Sequence, residues 1–159
     1  MAFFSNMNVV VKRADLDSPE AVALIEALNA ELLETYPEPG ATHFRLDPDE
    51  VAAGRGGFFL AWEGDRAVGC GAVRRIDERT GEIKRMYVLP AERGRGVSRV
   101  LLTALEDEAR RLGLARVCLE TGTRQMAALA LYERSGFVRI AAYGDYANSA
   151  FGVCLEKAI

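Results

Sequence analysis

Residues 82–113 constrain the fold more than any other stretch, because a β-type segment there runs into a glycine-rich turn that opens directly onto a helix. Val97, Val100, Leu101, Ala104, Leu105, Ala109 and Leu112 fall at helical spacing, which gives that helix one apolar face. Gly113 stands where a left-handed residue would close it.

The turn itself reads Arg93-Gly94-Arg95-Gly96-Val97-Ser98. Glycine lets backbone amides turn outward and a ligand come close. The first amides of a helix lack internal partners and carry partial positive charge, which suits an anion. Arg93 and Arg95 add full charges with fork geometry for phosphate oxygens. The physical reading is a diphosphate-binding turn, against the plainer one of a solvated loop before an ordinary helix. Two other phosphate loops are excluded. No Gly-Lys-Ser/Thr is present, and Arg99 stands where the dinucleotide fingerprint needs a third glycine.

This stretch resembles the central motif of the GNAT acetyltransferases, Gln/Arg-x-x-Gly-x-Gly/Ala, with Arg93, Gly96 and Ser98 in the three defined places. Ser98 departs from the family's Gly or Ala but remains small. A second stretch, residues 120–137, resembles the family segment Asn-x-x-Ala-x-x-Leu-Tyr followed by Gly-Phe. Ala128, Leu131, Tyr132, Gly136 and Phe137 match, and Gln125 replaces the asparagine. The resemblance implies acetyl-coenzyme A as the cofactor, with residues 93–98 holding its pyrophosphate.

Composition is ordinary for a soluble globular protein. Half of the 159 residues are hydrophobic, 27% are charged, and the net charge is −3. That balance argues against general nucleic-acid binding. Residues 74–99 nonetheless hold eight basic side chains against four acidic ones, a basic island suited to a compact anion. Cys70, Cys118 and Cys154 lie far apart in apolar runs and, with a single histidine, form no metal-ligand pattern. They read as buried thiols of a reduced compartment. No apolar run reaches the length of a membrane span, so a single cytoplasmic domain is expected.

Along the chain, strands are expected over residues 7–12, 58–62, 67–76, 82–89, 115–121, 137–141 and 151–156. Helices are expected over residues 19–36, 47–54, 97–112 and 125–135, the first opened by Ser18-Pro19-Glu20. The three short-linked strands before the glycine turn suggest a meander, and the strand after its helix a parallel crossover. This order is similar to that of the GNAT fold over nearly the whole chain. The expectation is therefore an α/β (α+β) fold with a mixed sheet of about seven strands and four helices.

Acetyl transfer to an amine needs a held thioester, a neutral amine, a polarised carbonyl and a proton for the thiolate. The resemblance gives the last role to Tyr132, whose phenol is protonated at neutral pH. Glu82 is the leading candidate base, since simple alternation would set it on one face with Lys84, Met86 and Val88. Glu120 on the next strand is the alternative. The family further implies that the strand around Met86, Tyr87 and Val88 splays from its neighbour and offers amides to the cofactor, with Gln125 close by. Two loops, Tyr36 to Arg45 with His43 and Tyr143 to Tyr146, would border the acceptor pocket. Arg74, Arg75, Lys84 and Arg85 could hold an acceptor carboxylate, which suits an amino-acid-like small-molecule amine. A peptide N-acetyltransferase and a non-catalytic acyl-coenzyme A sensor remain as rivals, and a homodimer stays open.

Overall fold

The computed structural model describes residues 8–42 and 45–159. Met7, at the start of the first expected strand, and His43 lie outside the described residues. Seven strands form one sheet in the order β1-β2-β3-β4-β5-β7-β6. They are β1 (Val9–Arg13), β2 (Gly56–Glu63), β3 (Arg66–Arg75), β4 (Thr80–Val88), β5 (Arg116–Gly122), β6 (Val138–Ile140) and β7 (Gly152–Ala158). β1 to β4 are an antiparallel meander, β4 and β5 are parallel, and β7 lies antiparallel between β5 and β6.

Among the described residues three α-helices cover the sheet: α1 (Pro19–Thr35), α2 (Val97–Arg111) and α3 (Met126–Arg134). The fourth expected helix, near residue 50, is only a 3-10 turn, Pro48–Val51. Glu50 Oε1 accepts the Asp47 N–H at 2.9 Å, so the start signal is real, but the next residues turn into β2 before a second turn forms. On α1, Ser18 accepts the Ala21 N–H at 3.4 Å, and Ala21, Leu24 and Leu28 face the core. Val22 and Leu33, which share the helical apolar repeat, lie on the exposed side.

α1 packs Ala21, Leu24 and Leu28 on Phe58, Leu60, Cys70, Ala72 and Tyr87 of one sheet face. α2 and α3 share the other face, where Leu102, Leu105 and Ala109 meet Val73, Ile83, Val117, Leu119, Leu129 and Tyr132. Gly113 (φ 78°) closes α2 as expected, with its N–H donating to Arg110 O at 2.9 Å and that of Leu114 to Ala109 O at 3.0 Å.

One irregularity shapes everything that follows. In the β3–β4 ladder Cys70 faces Tyr87 and Ala72 faces Lys84, so Arg85 and Met86 together oppose Gly71. This is a β-bulge whose first residue, Arg85, takes φ 59°, a left-handed conformation uncommon outside glycine. The extra residue breaks the expected alternation. Glu82, Lys84 and Tyr87 face α1, whereas Ile83, Met86 and Val88 pack toward α2. Glu82 and Lys84 therefore do not share a face with Met86 and Val88.

Candidate active site

β4 and β5 pair only from Thr80–Arg116 to Ile83–Leu119. Past that point the bulge bends β4 away, while β5 stays zipped to β7 as far as Gly122–Gly152. The two parallel strands thus splay, and a cleft opens between them. Ile83, Lys84, Arg85 and Met86 line one wall, and Leu119, Glu120 and Gly122 the other. Leu28, Leu32 and Tyr36 close it from the α1 side, Gln125, Ala128 and Tyr132 from α3, and Tyr146 and Phe151 from the loop before β7.

At the end of β4 the glycine turn takes the shape its sequence implies. Gly94 and Gly96 have φ 80° and 90°, and Gly96 caps α2 with no side chain on the first amides. Val97 is buried and anchors the helix, whereas Ser98 is half-buried and Arg93 to Gly96 are exposed. Both arginines are engaged by acids. Arg93 donates to Val88 O at 2.9 Å and to Glu31 at 2.8 Å, with its guanidinium 5.4 Å from the Tyr87 ring centre. Arg95 pairs with Glu63 and Glu92. These exposed pairs are individually weak, so a diphosphate can compete for them.

Tyr132 lies on the same side of the sheet as α2, with only 6% of its surface exposed. Its ring meets Phe137 edge-on at 5.6 Å, and burial raises its pKa well above the ordinary phenol value. Among the described residues its hydroxyl has no hydrogen-bond partner, although the residue lines the cleft. A buried hydroxyl left without a partner is costly, which marks a place for a ligand atom.

The two candidate bases have opposite surroundings. Glu82 is 0% exposed and does not line the cleft. Arg74 Nε donates to one of its oxygens and the Tyr143 hydroxyl to the other, at 2.8 Å and 2.7 Å. Glu120 does line the cleft, with no hydrogen bond from any described residue. Burial, reinforced by the charge of Glu82, pushes its pKa up to about 7. Lys84 lines the cleft beside it and donates to Arg45 O at 2.6 Å; burial lowers its pKa. Arg74 lies outside the cleft lining, bound to Glu82 and Glu50, and Arg75 is spent on the carbonyls of Leu112 and Glu78.

Two more participants complete the site. Tyr143, in the loop expected to border the acceptor pocket, donates to Glu82, 61 residues away, and meets the Tyr146 ring edge-on at 5.3 Å. Arg124 is the other. Its guanidinium sits 5.1 Å from the Tyr36 ring centre and 4.7 Å from that of Phe151, and it grips Glu38 with two bonds of 2.9 and 2.8 Å. Its backbone N–H donates to the Tyr36 hydroxyl at 2.8 Å. The clamp holds two aromatic walls of the cleft, and Gly122 makes it possible. A Cβ there would collide with the Tyr36 hydroxyl and lie 2.5 Å from its Cζ and 2.8 Å from Gln125 Oε1. Gln125 Oε1 itself accepts the Gly122 N–H at 2.9 Å. Gly122→Ala is expected to cost about 1–3 kcal/mol in chemical denaturation. Adding Tyr36→Phe, which removes the nearest atom, should recover part of it.

Taken together, these features fit coenzyme A. The uncapped end of α2 with its two left-handed glycines suits a diphosphate, the unpaired edge of β4 suits an extended arm, and the Tyr132 hydroxyl, without a partner among the described residues, suits a sulfur. Among the described residues no cluster could hold a metal ion, and no helix is long and apolar enough to cross a membrane.

Comparison with known proteins agrees. Residues 21–137 match the profile of the Acetyltransferase (GNAT) family. The chain is similar to an IAA acetyltransferase of Azospirillum brasilense, 37% identical over 94% of this chain and 97% of that one. It is also similar to a solved structure from Klebsiella pneumoniae assigned to the acyl-CoA N-acyltransferases, with TM-score 0.81 and 33% identity over 96% of this chain and 99% of that one. An Elizabethkingia anophelis GNAT acetyltransferase, solved with acetyl-CoA bound, shares the fold at TM-score 0.70 and 18% identity over 97% and 100% of the two chains. Profile and relatives alike span the turn, the splayed strands and Tyr132, so the chain belongs to the GNAT family, as an acetyltransferase whose acyl donor is acetyl-coenzyme A.

Proposed function

We propose that this enzyme acetylates the primary amine of a small, amino-acid-like molecule, with Glu120 as general base and Tyr132 as general acid. The observation that carries the reading is a pair of polar side chains, Glu120 and Tyr132, on one cleft between β4 and β5, neither with a hydrogen-bond partner among the described residues. Acetyl-coenzyme A, when bound, supplies an acyl group already activated as a thioester.

The chain's own contribution is positioning and proton movement. The amides at the start of α2 and the side chains of Arg93 and Arg95 would hold the diphosphate. The free edge of β4 around Met86, Tyr87 and Val88 would orient the arm and offer an amide to a developing oxyanion. Glu120 accepts a proton from the ammonium form of the acceptor, which needs a base whose pKa lies near neutrality. Tyr132 keeps its proton at every physiological pH and holds it at Oη for a departing thiolate. Direct attack is favoured over a thiol relay. Burial pushes Cys70 up to about 12 and Cys118 up to about 11, and no cysteine lines the cleft.

The acceptor's own charge is read from the cleft. Lys84 and Arg85 line it, and the Lys84 ammonium keeps N–H groups beyond the one given to Arg45 O. An acceptor carboxylate would find them there. The test is release of free thiol from acetyl-coenzyme A against amino acids, their amides, simple amines and short peptides. Free amino acids should turn over with lower KM than their amides. Turnover with peptides alone would sink the small-molecule reading, and the lack of thiol release with every amine would favour an acyl-coenzyme A sensor.

A further inference from the structure

The mechanism above leaves Glu82 unused, although it is the most enclosed charged group described in the protein. Its register is specific. Glu82 pairs with Cys118 across the parallel strands, which places Glu120 two residues further along β5 on the same face. The two carboxylates thus share one region of low solvent access, where like charges resist ionising together.

Their partners decide which one carries the charge. Glu82 receives the Arg74 guanidinium and the Tyr143 hydroxyl, and Tyr146 is also hydrogen-bonded to it. Arg74 is held in turn by Glu50. Hydrogen bonds and a paired guanidinium favour the ionised form of a carboxylate, and among the described residues Glu120 has neither. We propose that Glu82, anchored by Arg74 and Tyr143, is a positioning residue whose carboxylate acts on the protonation of Glu120 from the neighbouring strand. This rests on the reading of Glu120 as the base. The other groups facing Glu120 are Lys84 on β4, Tyr36 after α1, Tyr146 before β7 and Cys154 on β7. Of these only Lys84 is a cation, and it opposes the effect of Glu82.

The test is a pH titration of the ligand-free protein carrying carbon-13 at the glutamate Cδ atoms, followed by NMR. The wild type should show one glutamate with a midpoint near 7, and Glu120→Gln should remove that step. In Glu82→Gln the midpoint should fall below 7 but stay above the ordinary 4.5, because burial, the larger cause, remains. The double variant Glu82→Gln/Arg74→Met, which removes both members of the buried pair and strands neither, should show the same fall if the single variant does not fold. A folded variant with an unmoved midpoint overturns the proposal, as does a wild type in which no glutamate titrates near 7. The acid limb of kcat/KM, measured with the best amine of the panel, should move with the midpoint. If the midpoint moves and the limb does not, the tuning by Glu82 stands and Glu120 is not the base.

Discussion

Tyr132→Phe is expected to lower turnover by about 10²–10⁴-fold, the usual contribution of a positioned general acid. Coenzyme A affinity, read by calorimetry, should stay close to that of the wild type. The ring would keep its edge-on contact with Phe137, so the packing that holds α3 would survive. Only the hydroxyl is lost, and in the free protein that hydroxyl has no hydrogen-bond partner among the described residues. The variant should therefore be at least as stable as the wild type, because the cost of an unsatisfied buried group disappears with it. A variant that loses stability and keeps its turnover would make Tyr132 a packing residue.

Glu120→Gln should separate catalysis from stability even more sharply. The wild-type acid limb of kcat/KM should fall tenfold per pH unit below about 7, since the base must be ionised to act. The variant should lose that limb together with about 10²–10⁴-fold of its rate. Stability moves the other way. Glu120 holds its proton more tightly when folded, with a midpoint of about 7 against an ordinary 4.5. Between those values the folded state binds the extra proton, so stability falls as pH rises and stays low above 7. The full difference is up to about 3 kcal/mol. Glu120→Gln cannot ionise and escapes that loss, so its gain in thermal midpoint over the wild type should be larger at pH 8 than at pH 5.

The parts of this protein that were legible from residues are those with local causes. Gly94, Gly96 and Gly113 announce backbone that other residues resist, and all three take positive φ where the turn and the helix end require it. The meander and the crossover follow from short turns and from one helix between two strands. Distant partners were not legible. Arg124 meets Glu38 and Tyr36 across more than eighty residues, and nothing near residue 124 points to either. The basic island was visible as charge, but its neutralisation by Glu31, Glu50 and Glu63 from outside that segment was not. The bulge escaped because an arginine, not a glycine, occupies its left-handed position, and the alternating pattern runs straight through it.

That extra residue gives β4 an unusual sensitivity to length. Shortening the strand by one amino acid at position 85 would remove the bulge and restore a regular pleat. Met86 and Val88 would stay on the α2 layer and Tyr87 on the α1 layer, so the packing would survive while the bend would not. The strand would then have no reason to leave β5, and the gap would tend to zip shut. Single-residue deletions elsewhere in the meander shift a ladder; at Arg85 one would erase the cavity in which the reaction takes place.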